Sequence, residues 1–207
     1  RLSDALGIDS SRWVAAQQVH GGNVVIVGQR ERGRGSRSHE TAMPAVDGLV
    51  TGEAGVWLTG YYADCVPLAF WDIQERAVGI AHSGWRGTLA DVGSVVVREM
   101  VESLGCHLRD IHVLIGPAIG VCCYAVGEDL ASVFSKRFGE KCLSPRRDHI
   151  YLDLRSANKR LLVDAGVPPD QIYVSNLCTA CLCEAFYSYR RDESPTGRMA
   201  AIVGLRE

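Results

Sequence analysis

Two short apolar segments, each ending at a reactive side chain, constrain this sequence most. The first, Val56 to Ala63, is predicted to be a strand and is followed by Asp64 and Cys65. The second, Ala77 to Ala81, is also predicted to be a strand and ends at His82. Strand ends hold side chains rigidly and leave them accessible, so functional sites are often built there. A site that contains both the cysteine and the histidine is therefore the first hypothesis.

The length and composition are typical of one globular domain spanning residues 1–207. With 47% hydrophobic and 22% charged residues, the chain can bury a full core. Its formal net charge of −2 and lack of long charged runs argue against nucleic acid or an anionic membrane as a partner. The sequence shows no signal peptide and no apolar run of transmembrane length. Eight cysteines in such a chain indicate reduced thiols and a cytoplasmic protein.

Predicted strands outnumber predicted helices and do not alternate with them regularly. Trp13 to His20 is predicted to be a strand that turns at Gly21-Gly22 into a return strand, Val24 to Val27, and Thr88 to Leu104 is predicted to be one helix. We therefore expect an α+β fold with mixed β-sheets flanked by helices, not a doubly wound parallel sheet. The other predicted elements are helices Glu128 to Phe138 and Asp153 to Ala165, strands Ile111 to Ile115, Gln171 to Ser175 and Met199 to Leu205, a short strand within Val46 to Thr51, and a mobile, arginine-containing loop from Gln29 to Ser38.

The cysteines allow a structural zinc site. Cys178 and Cys181 have the spacing of a zinc-ligand pair, which Cys122-Cys123 or Cys183 could complete. Two cysteines packed in a core produce the same spacing. We expect this pair to be packed or free, without metal.

Two other arrangements use Cys65. With His82 it forms the nucleophile and base of a cysteine hydrolase, in which backbone N–H groups of residues 84–87 stabilise an oxyanion. With His20 and His82 it forms a metal site of two imidazoles and one thiolate, whose fourth position stays open as in catalytic zinc sites. The same ligands also suit copper. Spacing alone leaves both arrangements open.

Five motifs in this order resemble one known family. The sequence is similar to the bacterial family long labelled multicopper polyphenol oxidase or laccase-domain protein, which includes a human relative. This family is now described as purine nucleoside phosphorylases with adenosine deaminase activity. The motifs are Gln18-Val19-His20-Gly21, Asp47-Gly48-Leu49-Val50-Thr51, Ala63-Asp64-Cys65-Val66-Pro67, Ala81-His82-Ser83-Gly84-Trp85-Arg86-Gly87-Thr88, and Gly116 to Gly120 with Cys122-Cys123-Tyr124.

The resemblance implies the metal site with three ligands. The family's ligands correspond to His20, Cys65 and His82, which we expect to bind zinc, with copper possible, and to carry catalysis. Family members have several dozen more residues before the point where this chain begins. Either that N-terminal part of the family domain is missing here or the sheet edge is built differently.

The resemblance also implies the reaction and its substrates. We expect phosphorolysis of adenosine, inosine or methylthioadenosine to free base and ribose 1-phosphate, with adenosine deamination. Arg86, at a predicted helix start, is the first choice for binding phosphate. Asp47 and Asp64 could orient a ligand imidazole or accept a proton. Arg190 and Arg198 are further candidates for anion binding, from the family match alone.

Three other functions stay open beside this one. They are a cysteine hydrolase, a hydrolase that edits peptidoglycan precursors, and a non-catalytic zinc module. A true laccase is not expected, because its blue copper and trinuclear cluster need more imidazoles than the six histidines of this chain. Polyphenol oxidation is then at most a side activity of copper in the single site.

Overall fold

Short strands assembled into three sheets make up most of the regular structure. The computed structural model describes residues 2–74, 76–147, 149–193 and 195–206. The strands in these residues are β1 (Trp13–Ala15), β2 (Val24–Ile26), β3 (Gly48–Thr51), β4 (Trp57–Tyr62), β5 (Val66–Asp72), β6 (Ala77–Ser83), β7 (His112–Ile115), β8 (Ala125–Val126), β9 (Leu143–Arg146), β10 (His149–Leu152), β11 (Ile172–Val174) and β12 (Met199–Gly204). The α-helices are α1 (Leu2–Leu6), α2 (Trp85–Leu89), α3 (Val92–Leu104), α4 (Glu128–Phe138), α5 (Leu154–Asp164) and α6 (Tyr189–Asp192).

The strand directions are mixed in the two larger sheets. The central sheet has the order β11-β7-β5-β6-β3-β2, with parallel pairs at its two edges and antiparallel pairs between them. A second sheet, β1-β4-β12, has one parallel and one antiparallel pair. A third, small sheet of β8, β10 and β9 is antiparallel. The predicted α+β fold with mixed sheets is therefore confirmed.

The middle strands of the central sheet are covered on both faces, which explains why they are apolar throughout. All seven residues of β6 are buried, and alternate residues point into two different cores. Ala77 and Ala81 face the core that contains helices α3 and α5. Val78 and Ile80 face the core between the central sheet and the β1-β4-β12 sheet. The protein thus has three layers, with the central sheet in the middle.

The helix predictions hold for α4 and α5. Helix α4 has the predicted bounds. Asp153 caps α5 by accepting hydrogen bonds from the N–H groups of Arg155 and Ser156, and Gly166 follows the helix with a φ of 96°. The predicted helix from Thr88 to Leu104 is instead two helices, α2 and α3. Asp91, in the left-handed region at a φ of 58°, separates them.

The predicted hairpin at Gly21-Gly22 is wrong. Strand β1 pairs with β4 in one sheet, and β2 pairs with β3 in another, so the glycines lead the chain between layers.

Two further features were not predicted. These are β5, which lies in the centre of the main sheet, and the small β8-β10-β9 sheet. Neither shows polar-apolar alternation, which is the signal that identifies a strand most clearly in sequence.

The arginine-containing segment from Gln29 to Ser38 is folded against β1. The N–H of Gly33 donates to the carbonyl of Trp13 at 2.9 Å, and the N–H of Ala15 donates to the carbonyl of Arg34 at 2.9 Å. Its predicted mobility stays a prediction.

Among the described residues, no helix combines the length and apolar character that crossing a membrane requires.

Close contact between α3 and β6 depends on Gly79 and gives a prediction about stability. A Cβ atom at this position would lie 2.8 Å from Cγ1 of Val96 in α3. Gly79→Ala should therefore lower the free energy of unfolding by about 1–3 kcal/mol through overpacking. In a Val96→Ala background, which removes the contacting methyl groups, the same substitution should cost much less. Urea unfolding of wild type, the two single variants and the double variant measures this coupling. Strictly additive changes in the free energy of unfolding would show that Gly79 is not needed to make room for Val96.

Candidate metal centre and cavity

The side chains of His20, Cys65 and His82 meet at one end of the central sheet. Their nearest potential ligand atoms all lie within 4.8 Å of one another. The two imidazole rings are arranged edge to face, with centroids 4.7 Å apart. Cys65 lies between β4 and β5, and His82 is the penultimate residue of β6. His20, however, is not at a strand end as predicted, because β1 stops at Ala15 and the chain continues as a loop.

The pairing of β5 with β6 brings the cysteine to His82. Pro67 is directly opposite His82 in this antiparallel pair, and Cys65 lies two residues before Pro67. Because facing residues of an antiparallel pair point to the same side, Pro67 and His82 belong to one face of the sheet, and Cys65 lies in the bend just before the strand that carries Pro67. The two reactive groups are therefore fixed relative to each other by the hydrogen-bond register of the most buried strands.

His20 is positioned by Asp47, the residue that precedes β3. One carboxylate oxygen of Asp47 accepts the N–H of His20 at 2.9 Å, and the other accepts the N–H groups of Gly21 at 2.7 Å and Val19 at 3.2 Å. These contacts hold His20 in the left-handed region, with a φ of 62°. A residue other than glycine is strained there and persists only where its surroundings fix it.

Asp47 also holds His82. Its Oδ1 lies 3.0 Å from Nδ1 of His82, and its side chain is fully buried. Its carbonyl accepts the N–H of His82 at 2.7 Å as well. A metal-ligating histidine commonly donates its other ring N–H to a carboxylate in this way, which fixes the tautomer and leaves Nε2 for the metal.

The buried ion pair changes the pKa values of the site in the metal-free protein. Burial alone would lower the pKa of His82, but its hydrogen bonds with Asp47 and Cys65 outweigh burial and raise the pKa to about 9. Burial would also raise the pKa of the Cys65 thiol, but hydrogen bonds from His20 and His82 lower it to about 7. The site thus stabilises a thiolate, which is the form that binds metal or attacks as a nucleophile.

Asp64 fixes the backbone that presents Cys65. It has a φ of 86°, and its carboxylate accepts the Thr179 hydroxyl at 2.7 Å and the N–H of Arg190 at 2.7 Å. Gly84 leaves the space on the other side, because a Cβ atom there would lie 2.9 Å from Sγ of Cys65. Both chain segments next to the thiol are therefore tightly constrained.

The three side chains lie in the wall of a cavity of about 920 Å³. This volume is in the range of small-molecule binding sites, about 300–1,000 Å³. Its lining also includes His39, Asp64, three arginines and four aromatic residues. The arginines are Arg37, Arg190 and Arg198, and the aromatic residues are Tyr61, Trp85, Tyr124 and Tyr189. The cavity therefore offers positive charge and flat apolar surfaces beside the Cys–His cluster.

The predicted substrate-binding residues lie at different distances from this cavity. Asp64, Arg190 and Arg198 line it, whereas Asp47 lies behind His82. Arg86 is exposed outside the lining, with its guanidinium 4.3 Å from the ring centroid of Trp85.

Two contributors to the site escaped sequence analysis. Arg37 belongs to the segment that is predicted to be a mobile loop because it is polar and rich in glycine, yet it lines the cavity. Gln18 extends the pairing of β1 with β4 through its side chain, which accepts the N–H of Tyr61 and donates to its carbonyl, both at 2.9 Å. The position of Gln18, two residues before His20 in a shared motif, was the available signal.

The family described as multi-copper polyphenol oxidoreductase laccase matches residues 1–206. This chain belongs to that family. The purine nucleoside phosphorylase YlmD of Geobacillus stearothermophilus is 42% identical over 211 residues, which cover 100% of this chain and 77% of the relative. The protein of the same name from Bacillus subtilis is 38% identical over 209 residues, with 100% and 75% covered.

Solved structures of family members share the fold. The crystal structure of YlmD from Geobacillus stearothermophilus matches with a TM-score of 0.95 at 41% identity, covering 100% of this chain and 78% of that one. The crystal structure of the Bacillus licheniformis hypothetical protein YfiH gives 0.93 at 38% identity, covering 99% and 78%. The family resemblance drawn from the five motifs is therefore confirmed.

The buried pair of Asp47 and His82 gives a prediction about pH. In the metal-free protein, Asp47→Asn should lower the pKa of His82 from about 9, because the amide keeps the shape and loses the charge. NMR titration of the His82 ring measures this. Because the folded-state pKa lies above the ordinary 6.5, protonated His82 stabilises the fold fully below about pH 6.5, and this contribution is lost as the pH rises through about 9.

Asp164→Asn is the matched control for this substitution. Asp164 is an exposed carboxylate on α5 that pairs with Arg160, far in sequence from the site. Its replacement should leave the titration of His82 unchanged. Equal pKa values of His82 in wild type and Asp47→Asn would show that the carboxylate does not control the imidazole.

Proposed function

We propose that this protein is a zinc-dependent purine nucleoside phosphorylase that also deaminates adenosine. The observation that carries this proposal is the convergence of two imidazoles and one thiolate in the wall of an arginine-containing cavity. The names of its relatives, purine nucleoside phosphorylase, support the same reading. The proposed substrates are adenosine, inosine and methylthioadenosine, together with phosphate.

The donor set of the site fits zinc. Donor atoms around a tetrahedral zinc are roughly 3.3–3.8 Å apart, from bonds of about 2.0–2.3 Å. His20, Cys65 and His82 offer three donors within 4.8 Å of one another in the wall of the cavity, and a zinc ion held by three protein ligands would keep its fourth position for water or substrate. Copper also accepts such ligands. A laccase-type cluster finds no support, because the two potential metal groups among the described residues contain only two histidines together.

Phosphate and the purine would use different parts of the cavity. Arg198 and Arg37 are exposed cations on its lining and suit the phosphate, and Arg198 uses one terminal nitrogen for two backbone carbonyls at 2.8 and 3.0 Å. Arg190 donates to the carbonyl of Ala125 at 2.8 Å and, unlike Arg198, also stacks over Tyr124. The tyrosine ring is therefore held in place as a surface against which a purine can stack. We now prefer these arginines to Arg86 for phosphate.

In phosphorolysis, a phosphate oxygen forms a bond to the ribose carbon while the bond from that carbon to the purine nitrogen breaks. The purine leaves with the electron pair and takes up a proton. Arginines hold the attacking anion in line and offset its charge. Asp47 keeps His82 in one orientation, and Asp64 keeps Cys65 in place. Bound zinc supplies a Lewis acid and lowers the pKa of water, which suits deamination at the purine C6.

One assay distinguishes the candidate reactions. The purified protein is incubated with adenosine, with and without phosphate, and products are separated by chromatography. Adenine and ribose 1-phosphate that form only with phosphate support phosphorolysis, and inosine supports deamination. No conversion of adenosine, inosine or methylthioadenosine would overturn the proposal and favour a non-catalytic zinc module or a hydrolase that edits peptidoglycan precursors.

Replacement of the thiolate tests the zinc site. Cys65→Ser keeps the size but removes the soft charged ligand, so the metal content should fall by one equivalent relative to wild type. Turnover of adenosine should fall by more than about 100-fold, the upper end of the loss caused by altering groups around a metal ligand. Elemental analysis, activity and circular dichroism measure the three properties.

Cys183→Ser is the matched control for Cys65→Ser. Cys183 is an exposed free thiol outside both groups of potential metal ligands. Its replacement should change neither metal content nor activity. A folded Cys65→Ser protein that keeps its full metal content would contradict the assignment of these ligands.

The arginines of the cavity give a second kinetic prediction. Arg198→Ala should raise the KM for phosphate by about 10–100-fold, the cost of a hydrogen bond to a charged group of about 1.5–3 kcal/mol. Deamination of adenosine uses no phosphate and should change much less. Arg109→Ala, on an exposed arginine paired with Asp110, is the control. Equal losses in both reactions would show that Arg198 does not act on phosphate.

A cysteine hydrolase is the second candidate, and the contacts of His82 favour it specifically. Cys65, His82 and Asp47 form a series of nucleophile, base and orienting carboxylate, and the pKa of the thiol is lowered to about 7. Removal of metal by a chelator separates the two readings. A phosphorylase loses activity and regains it with zinc, whereas a hydrolase keeps its activity after chelation and loses it on alkylation of the thiol.

A further inference from the structure

Four cysteines outside the cavity form a second cluster. Cys122, Cys123, Cys178 and Cys181 place their Sγ atoms within 4.8 Å of one another. Sγ of Cys181 lies 3.5 Å from that of Cys122 and 3.3 Å from that of Cys123. All four are free thiols. The CxxC pair alone was a weak signal, and the structure adds two further thiols from a segment more than fifty residues away.

The backbone around the cluster is built to bring the thiols together. Ala118 forms an isolated parallel bridge with Cys178, and the N–H of Thr179 donates to the carbonyl of Ala118 at 3.1 Å. A tight turn follows, in which the N–H groups of Cys123 and Tyr124 both donate to the carbonyl of Gly120. Backbone contacts between residues 118 and 178–179 therefore hold the two cysteine-containing segments side by side, which brings their thiols together.

Gly120 provides the space and a hydrogen bond for this cluster. A Cβ atom there would lie 3.0 Å from Sγ of Cys122 and 3.3 Å from Cβ of Cys178. Its N–H donates to Sγ of Cys178 at 3.2 Å. Hydrogen bonds of this kind orient and stabilise the thiolates of a metal site.

The number, spacing and chemistry of the donors point to one ion. Four cysteine thiolates are the ligand set of closed structural zinc sites, with Zn–S bonds of about 2.3 Å and hence roughly 3.8 Å between sulfurs. The two separations from Cys181, 3.5 and 3.3 Å, are slightly shorter than that spacing, and all four sulfurs lie within 4.8 Å of one another. Cys178 is buried, whereas Cys122 and Cys181 are exposed, so an ion can enter from solvent. A closed set of four ligands leaves no position for substrate.

We propose that Cys122, Cys123, Cys178 and Cys181 bind a structural zinc ion, distinct from the ion at His20, Cys65 and His82. This replaces the expectation that Cys178 and Cys181 carry no metal. The ion joins the segment before β8 to the segment after β11 and completes a site that neither segment forms alone.

This zinc site supports one wall of the cavity. Thr179, the residue after Cys178, donates its hydroxyl to Asp64, and Tyr124, the residue after Cys123, lines the cavity. Arg191 of α6 donates to the carbonyl of Thr179 at 3.0 Å and so connects this helix to the same segment. The ion therefore fixes the position of the cavity wall and does not itself contact the substrate.

The test counts metal ions and identifies their ligands. Wild-type protein, purified under reducing conditions, should contain two equivalents of zinc by elemental analysis. Cys65→Ser should contain one, and X-ray absorption of that variant should show four sulfur neighbours. Addition of Cys181→Ser to Cys65→Ser should remove the remaining ion, whereas addition of Cys183→Ser should leave it. Cys181 is suitable because it is exposed and its replacement by serine keeps the size.

The outcomes separate this site from the first one. If Cys65→Ser contains no zinc, if its remaining ion has nitrogen or oxygen neighbours, or if mass spectrometry shows that the four thiols form disulfides without metal, the proposal is wrong. Iron bound by four sulfurs would overturn the assignment of zinc. Cys181→Ser alone should keep the first ion and show a lower thermal unfolding midpoint. In the Cys65→Ser background, which lacks the first ion, zinc should raise the midpoint, and addition of Cys181→Ser should abolish that increase. If Cys181→Ser does not fold, cobalt substitution of Cys65→Ser must still give the absorption spectrum of a four-sulfur site.

Discussion

The hydrogen bonds of the buried Asp47 carboxylate are the interactions on which the geometry of the site depends. It accepts the backbone N–H groups of Val19, His20 and Gly21 and also holds the ring of His82. One side chain thus fixes two groups from separate parts of the chain. An isolated buried carboxylate is unfavourable, and burial alone would raise its pKa. The hydrogen bonds that satisfy it outweigh burial and lower the pKa. The same contacts that make the charge tolerable also set the geometry of the candidate ligands.

The central sheet provides the rigid base for this arrangement. Strands β5 and β6 are covered by helices on one face and by a second sheet on the other, so their register cannot slip without exposing apolar residues. That register sets the separation of Cys65 and His82. The remaining group, His20, comes from a loop and is held by polar contacts. Rigid elements and local hydrogen bonds thus contribute different parts of one site.

Sequence patterns predicted the parts of the fold that local chemistry determines. Helices α4 and α5 follow from apolar spacing, reinforced in α5 by a capping aspartate, and the strands next to Cys65 and His82 follow from short apolar runs. The pairing of β1 with β4 did not follow, because it joins segments separated by more than forty residues. Arg37 was missed for the same reason, since its loop is polar locally and belongs to the cavity only through tertiary contacts.

The spacing of these contacts along the chain has a consequence for assembly. The contact between Asp47 and His82 closes a loop of 35 residues, whereas the contact between Asp64 and Thr179 closes one of 115. Because the entropy of loop closure grows with the logarithm of length, the second contact costs about 1 kcal/mol more to form. The candidate ligands can therefore gather within the first half of the chain as it folds, while the wall beside Cys65 must wait for the C-terminal segment. An ion that joins residues 122–123 to residues 178–181 shortens that search once both segments exist.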